Sequence, residues 1–139
     1  MSSYPKNWPE IAERAKHRQN YTCQDCNYKG RKLVVHHIIP KSFDGPDEIW
    51  NLRTLCSYCH GLYPGDSHIR IGEGKDYSLK ENYTPKVRAY EKAVLRKMYK
   101  LQNFYHPSPW NERKTEITLL KKTLETYLLT GKKDKSVLF

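Results

Sequence analysis

The sequence predicts a small α+β protein whose core depends on a metal more than on apolar bulk. Three observations carry that expectation. Two Cys-x-x-Cys pairs, Cys23 with Cys26 and Cys56 with Cys59, are separated by 29 residues. Between them, "RKLVVHHII" (31–39) has the β-branched content of a strand. Beyond them, two segments repeat apolar residues every three or four positions, the period of a helix packed on one face.

Residues 7–18 read as a short helix. Asn7 suits the N-cap, Pro9 falls in the first turn where a missing N–H costs nothing, and Glu10 and Glu13 favour the positive end. Trp8, Ile11 and Ala15 share one face. The first cysteine pair follows, then the strand over 31–39, which Pro40 ends because proline donates no ladder hydrogen bond. "KSFDGPDEIWN" (41–51) is a loop marked by Asp44, Gly45 and Pro46. "LRTLCSYCHG" (52–61) begins as a second strand and continues as a short helix carrying the second cysteine pair and His60. Residues 65–83 are a polar linker. Thr84 and Pro85 then predict a helix start, with Val87, Tyr90, Val94, Met98 and Leu101 as its apolar stripe. Ser108 and Pro109 predict another, with Ile117, Leu120, Leu124, Tyr127 and Leu128 on one side and Gly131 as its stop. The tail "KKDKSVLF" is expected to be loose at its start. The chain thus divides into a core at 1–64, a linker at 65–83 and a helical extension at 84–139.

The 139 residues carry 25 Lys and Arg against 15 Asp and Glu, a net charge of +10, which points to a polyanionic partner. Most of the excess is late: residues 1–79 hold 11 basic against 9 acidic side chains, and residues 80–139 hold 14 against 6. Arg88, Lys92, Arg96 and Lys100 recur every four residues opposite the apolar stripe, a ridge suited to phosphate contacts that position a duplex without reading its sequence. The alternative for such a row is an ordinary solvated face. The N-terminal segment has no apolar signal region, and no stretch approaches the roughly 18 apolar residues of a membrane span, so the expected location is cytoplasmic. Four cysteines in a reducing compartment are metal ligands before they are disulfides. Their two knuckles would complete a closed four-sulfur shell, which suits a structural Zn²⁺.

The polar residues at the strand ends then form a pattern. His36 and His37 adjoin at the end of the first strand, Asn51 opens the second, and His60 follows Cys59. Here the sequence resembles the HNH endonuclease family, in "VHHIIP" (35–40), "NLRTLC" (51–56) and "CSYCH" (56–60). The resemblance spans about residues 8–60. It implies a ββα-metal core that cuts nucleic acid with one catalytic divalent ion, leaving 5′-phosphate and 3′-hydroxyl ends. It also implies that His36 and His60 bind that ion, that His37 is the general base, and that Asn51 braces the loop and orients the base. The division of labour is chemically sensible. Phosphodiester hydrolysis needs a deprotonated water and a cation to offset phosphoryl charge. An imidazole that stays off the metal can accept the proton.

The sequence departs from the family at Pro64, where many members carry a further histidine ligand. His68 lies beyond it and reads by default as a solvated loop residue. With two protein ligands the ion keeps several waters, which favours Mg²⁺ or Mn²⁺. Duller readings exist for each residue: His36 and His37 as a surface dipeptide, Asn51 as a turn cap, His60 as a fourth zinc ligand with three cysteines. The expected function is hydrolysis of double-stranded DNA by a metal-dependent endonuclease. The rivals are a non-catalytic zinc module that binds DNA, and an RNA-directed nuclease of the same fold. The first has no use for His37 or Asn51.

Overall fold

The computed structural model describes residues 4–29, 32–64 and 86–138. Its contacts separate the chain into two units, Met1–Val87 and Arg88–Phe139. The linker segment 65–83, with His68 inside it, and the Thr84–Pro85 helix signal lie outside the described residues.

The first unit opens with α1, Trp8–Arg18, which has proline in its first turn and Ala15 fully buried. Strand β1, Leu33–His37, pairs antiparallel with β2, Leu52–Cys56, in the register Leu33 to Cys56, Val35 to Thr54 and His37 to Leu52. A two-stranded ribbon is marginal alone in water, and here both faces and one edge are covered. Helix α1 and the short α2, Ser57–His60, both pack on the two strands. The exposed edge of β2 is closed by two glutamines. The side-chain amide of Gln19 donates to Leu52 O at 3.1 Å and accepts from Thr54 N at 2.6 Å, and the backbone of Gln24 donates to Thr54 O at 2.9 Å. Those bonds satisfy backbone groups that would otherwise invite another strand.

Strand β1 is shorter than the predicted 31–39. Residues 30 and 31 lie outside the described set, and the chain bends at 38–39 as it enters Pro40, although Ile38 N still donates to Asn51 O at 2.9 Å. The loop that follows is not featureless. It contains two short 3₁₀ turns, Lys41–Phe43 and Ile49–Asn51, with Phe43 buried between them and the strands. Helix α2 ends at His60 with Gly61 behind it. Pro64, lacking an N–H, stands where a longer helix would have needed a donor.

In the second unit, α3 spans Ala89–Gln102 and α4 spans Trp110–Thr130, packed on each other through Val94, Leu95, Met98, Leu101, Leu120 and Leu124. Gly131 ends α4 in the left-handed region at φ 79°. Four expectations change here. Helix α3 starts at Ala89, four residues after Pro85, because Arg88 takes a left-handed conformation (φ 53°) that interrupts the helix. Val87 therefore leaves the apolar stripe and is 72 % exposed. Arg88 leaves the ridge on the helix face and becomes its N-cap; Arg96 and Lys100 are exposed and Lys92 is half-buried. The tail is anchored, too. Tyr90 OH donates to Asp134 O at 3.0 Å and accepts from Asp134 N at 3.1 Å, and Lys97 Nζ donates to Val137 O at 2.6 Å. One buried cation was unforeseen: Arg113 donates to Ser108 O, Leu101 O and Asn103 O at 2.8, 2.7 and 3.2 Å, closing carbonyls that the end of α3 leaves open.

Gly45 is closely packed against backbone. A Cβ there would lie 1.7 Å from Ile39 O and 2.6 Å from Ile39 C, both backbone atoms. Gly45→Ala should therefore destabilise the first unit by about 3 kcal/mol, the upper end of ordinary single substitutions. Chemical denaturation, followed by the fluorescence of Trp8, Trp50 and Trp110 in single-tryptophan backgrounds, measures it. A change under about 0.5 kcal/mol would mean that the loop yields freely.

Candidate active site

The β1–β2 register places the two chemical groups at opposite ends of one ribbon. At the Leu33–Cys56 end lie the sulfurs. Cys23 and Cys26 come from the turn after α1, Cys56 ends β2, and Cys59 sits one turn into α2. None of the four forms a disulfide, and their sulfur atoms lie within 4.8 Å of one another. The Cys26 and Cys56 sulfurs are 3.8 Å apart. Roughly that edge is expected of a tetrahedron with Zn–S distances of about 2.3 Å. The turns that carry them are built for the purpose. Asn27 N donates to Cys23 O at 2.8 Å with Asn27 in the left-handed region, and Cys59 N donates to Cys56 Sγ at 3.4 Å. Burial and the charge of Cys23 and Cys56 push the Cys26 thiol up to about 12, while hydrogen bonds from Cys56 and Cys59 hold Cys23 low. Four thiolates cannot share so small a space without a cation between them, and a dication is what this donor set can hold. His60 is not part of this shell; its ring turns the other way.

At the His37–Leu52 end lie the imidazoles. Period-two alternation sends His36 and His37 to opposite faces. His36 packs on Tyr63 (ring centroids 4.4 Å apart) and edge-on to His60 at 5.0 Å. His37 stacks on Trp8 at 4.9 Å and 24°, with Tyr4 at 5.7 Å on the same side. The strand ends at His37, and the two faces open into one pocket of about 130 Å³ lined by Val35, His36, His37, Lys41 and His60, with Tyr4 at its rim. All three expected histidines are thus brought together. Nε2 of His36 and Nδ1 of His60 are buried and make no hydrogen bond among the described residues. Burial, reinforced by His60, Arg53 and His37, pushes His36 well below its ordinary value. It is therefore neutral, the form in which an imidazole can bind a metal. Imidazole nitrogens are donors of a type that divalent cations accept.

Asn51 is fully buried beneath the loop. Its Nδ2 donates to Ile39 O at 3.1 Å and Pro46 O at 2.9 Å, and its Oδ1 accepts from Ile39 N at 2.7 Å. The side chain ties the start of the loop to its middle. Its hydrogen bonds among the described residues do not include the His37 ring.

Some residues of the site carried no sequence signal that distinguished them. Asp47, in the middle of the loop, places Oδ1 2.7 Å from His37 Nε2, and Lys41 Nζ is 3.2 and 3.3 Å from its two oxygens. Burial lowers His37 and the Asp47 hydrogen bond opposes this in part; the net is below the usual imidazole value. Burial raises Asp47, but the hydrogen bonds from His37 and Lys41 outweigh it and hold the carboxyl below its usual range. Tyr63 links the two ends of the ribbon: its hydroxyl donates to Asp25 Oδ2 at 2.6 Å in the first knuckle and accepts from Arg53 Nη1 at 3.1 Å on β2, while its ring supports His36. Trp8 was legible as an apolar helix position; that its ring lies on His37 was not.

An antiparallel ribbon followed by a short helix, with thiols at one end and imidazoles at the other, defines a ββα-metal nuclease core. Residues 23–63 match the model of the HNH endonuclease family. The chain is 28 % identical over 115 residues to the Zorya protein ZorE of Escherichia coli, an alignment that takes in 80 % of this chain and 26 % of that protein. It is 37 % identical over 59 residues to anaredoxin of a Nostoc species, covering 42 % of this chain and 78 % of that protein. The chain belongs to the HNH endonuclease family. It spans about a quarter of the length of the Zorya protein, and the 115 aligned residues exceed the first unit, so that likeness runs into the C-terminal helices. No solved structure matches the chain closely.

The sulfur geometry makes a direct prediction. The protein should hold about one zinc per chain, the stoichiometry of a four-cysteine site. Chelation, or Cys56→Ser, should unfold the first unit and not merely slow its chemistry, since such sites contribute on the order of 10 kcal/mol to folding. Elemental analysis and circular dichroism check it. Metal-free protein with unchanged thermal stability would refute it.

Proposed function

We propose that the chain is a metal-dependent endonuclease that hydrolyses phosphodiester bonds in double-stranded DNA. The observation that carries this reading is the single pocket that gathers His36, His37, His60 and Lys41 at the end of the ribbon. A non-catalytic zinc module has no use for three imidazoles at the far end from its thiols. His36 and His60 would hold the divalent ion, Mg²⁺ or Mn²⁺, through nitrogens that are buried. Such an ion, when bound, offsets negative charge on the phosphoryl oxygens. Two nitrogen donors leave most of its coordination to water and substrate.

His37 leaves the strand on the other face from His36 and bonds Asp47 through Nε2, which keeps that nitrogen off the ion. The ring is held against Trp8 with its edge toward the loop, which leaves it to take the proton from the attacking water. Asn51 keeps the loop against the end of β1 and so limits where the ring can go. Lys41, at the pocket wall, supplies positive charge where a phosphate would enter. The zinc cluster at the other end holds the ribbon rigid, so that the imidazoles keep their separation as substrate binds.

The C-terminal helices would supply phosphate contacts of their own. Arg96 and Lys100 are the exposed members of the α3 row; Lys92 is half-buried and Arg88 caps the helix. Changing Arg96 and Lys100 together to glutamine should weaken binding on all DNA sequences alike. It should also reduce the slope of log K against log salt by roughly 0.9 per lost phosphate contact. An unchanged slope would leave those residues as a solvated face.

The histidines separate in a metal titration. His37→Ala should bind metal and DNA normally but lose about 10²–10⁴ in cleavage rate, the usual worth of a positioned base. His36→Ala and His60→Ala should lose metal affinity and recover part of their activity in excess Mn²⁺, a rescue that His37→Ala should not show. The assay is nicking and linearisation of supercoiled plasmid against Mn²⁺ concentration. Rescue of His37→Ala but not His36→Ala would reverse the two roles. Unaltered cleavage in all three variants would refute the nuclease assignment.

A further inference from the structure

The loop between the strands delivers one carboxylate to the edge of the His37 ring, and most of the loop is organised around that delivery. Gly45 lies so close to Ile39 that no side chain fits, and its N–H donates to Pro40 O at 3.0 Å. The next residue, Pro46, offers its carbonyl to Asn51 Nδ2 at 2.9 Å. Asp47 follows, with Oδ1 2.7 Å from His37 Nε2 and both oxygens within 3.3 Å of Lys41 Nζ. Asn51 thus reaches His37 indirectly, by holding the residue before Asp47.

We propose that Asp47 is a positioning residue for His37, fixing both the orientation of the imidazole and the nitrogen that carries its proton. The proposal rests on the reading of His37 as the general base. A carboxylate can only accept, so a neutral imidazole bonded to it must carry its hydrogen on Nε2. The lone pair that accepts a proton from water then belongs to Nδ1. The ring is constrained in two ways: Trp8 stacks on its flat side, with Tyr4 tilted nearby, and Asp47 bears on its edge. A stacked ring alone could still turn about its Cβ–Cγ axis, which puts a ring carbon where each nitrogen was, and could carry its hydrogen on either nitrogen. The carboxylate removes that freedom. Lys41 in turn holds the carboxylate, and it lines the same pocket, so the charge on Asp47 is balanced without involving His36 or His60.

The duller reading is that Asp47, His37 and Lys41 form a polar clasp that only secures the loop. A double-mutant cycle separates the two. Asp47→Ala should lower kcat by about 10- to 100-fold, the cost of misplacing a reacting group, with KM and Mn²⁺ affinity changed less than about 3-fold. In a His37→Ala background the same change should have no further effect, because a residue that acts through another adds nothing once that other is gone. Asp47→Asn, whose amide oxygen can still accept from Nε2, should fall between wild type and Asp47→Ala. Equal, additive losses in both backgrounds would overturn the proposal.

Long-range ¹⁵N–¹H correlation of the His37 ring supplies a readout that does not depend on cleavage. Wild type should show the Nε2–H tautomer, and Asp47→Ala a mixture of tautomers at an unchanged thermal midpoint. A wild-type Nδ1–H tautomer would overturn the proposal even if the enzyme cleaves DNA. If the wild-type protein cleaves nothing, the nuclease reading fails, while the tautomer measurement still decides whether Asp47 sets the state of His37.

Discussion

The register of one five-residue strand pair governs this molecule. Leu33 opposite Cys56 puts the thiols at one end, and His37 opposite Leu52 puts the imidazoles at the other. A slip by one residue would exchange the two faces. His36 would then meet Trp8, and His37 would meet His60 and Tyr63. Nothing in five alternating residues prevents such a slip by itself. It is prevented by attachments at both ends. The Cys56 sulfur lies 3.8 Å from that of Cys26, and the Asn51 side chain grips Ile39 immediately beyond the strand.

The same economy explains how so small a first unit is organised. Its apolar interior amounts to a few residues, chiefly Ala15, Ile38, Ile39, Phe43, Leu52 and Leu55. The thiol cluster and side-chain hydrogen bonds to backbone carry the remaining load. Gln19 completes the edge of β2, Asn51 completes the loop, and Tyr63 joins Asp25 to Arg53 through one buried hydroxyl. Each of these satisfies polar groups that a larger apolar core would have left to regular sheet or helix. The second unit follows the more usual pattern of two helices with an apolar seam, supplemented by Arg113 at the turn and by a tail bonded to Tyr90 and Lys97.

The proposed division of labour between the adjacent histidines would follow from the geometry of a strand end. Within a strand their rings diverge; at its end both can border the same pocket. One face offers buried nitrogens beside His60, which suits a cation. The other offers an aromatic platform and a carboxylate, which suits a proton acceptor. The likeness to the Zorya protein extends past the family match at 23–63, so the C-terminal helices accompany the core in at least one relative. Their basic excess is what motivates the proposed phosphate contacts.

The local features were legible in the sequence because they depend on spacing along the chain. Cys23 with Cys26 and Cys56 with Cys59 announce knuckles, Pro9 and Gly131 mark helix ends, and Pro40 marks the end of β1. The His36–His37, Asn51 and His60 pattern announces the family. Tertiary structure decided what those residues touch. Asp47 looked like any acidic loop residue until the Gly45 turn and the Asn51 brace carried it to His37. Trp8 looked like an apolar helix position until α1 packed across the ribbon. The start of α3 moved from Pro85 to Ala89 because a proline permits a helix to begin without requiring it, and a left-handed Arg88 delays it. The physical reason is common to all three. Capping, turn and ligand-spacing preferences act over a few residues, whereas the partner of a side chain is set by which distant segments the packed fold brings within hydrogen-bond range.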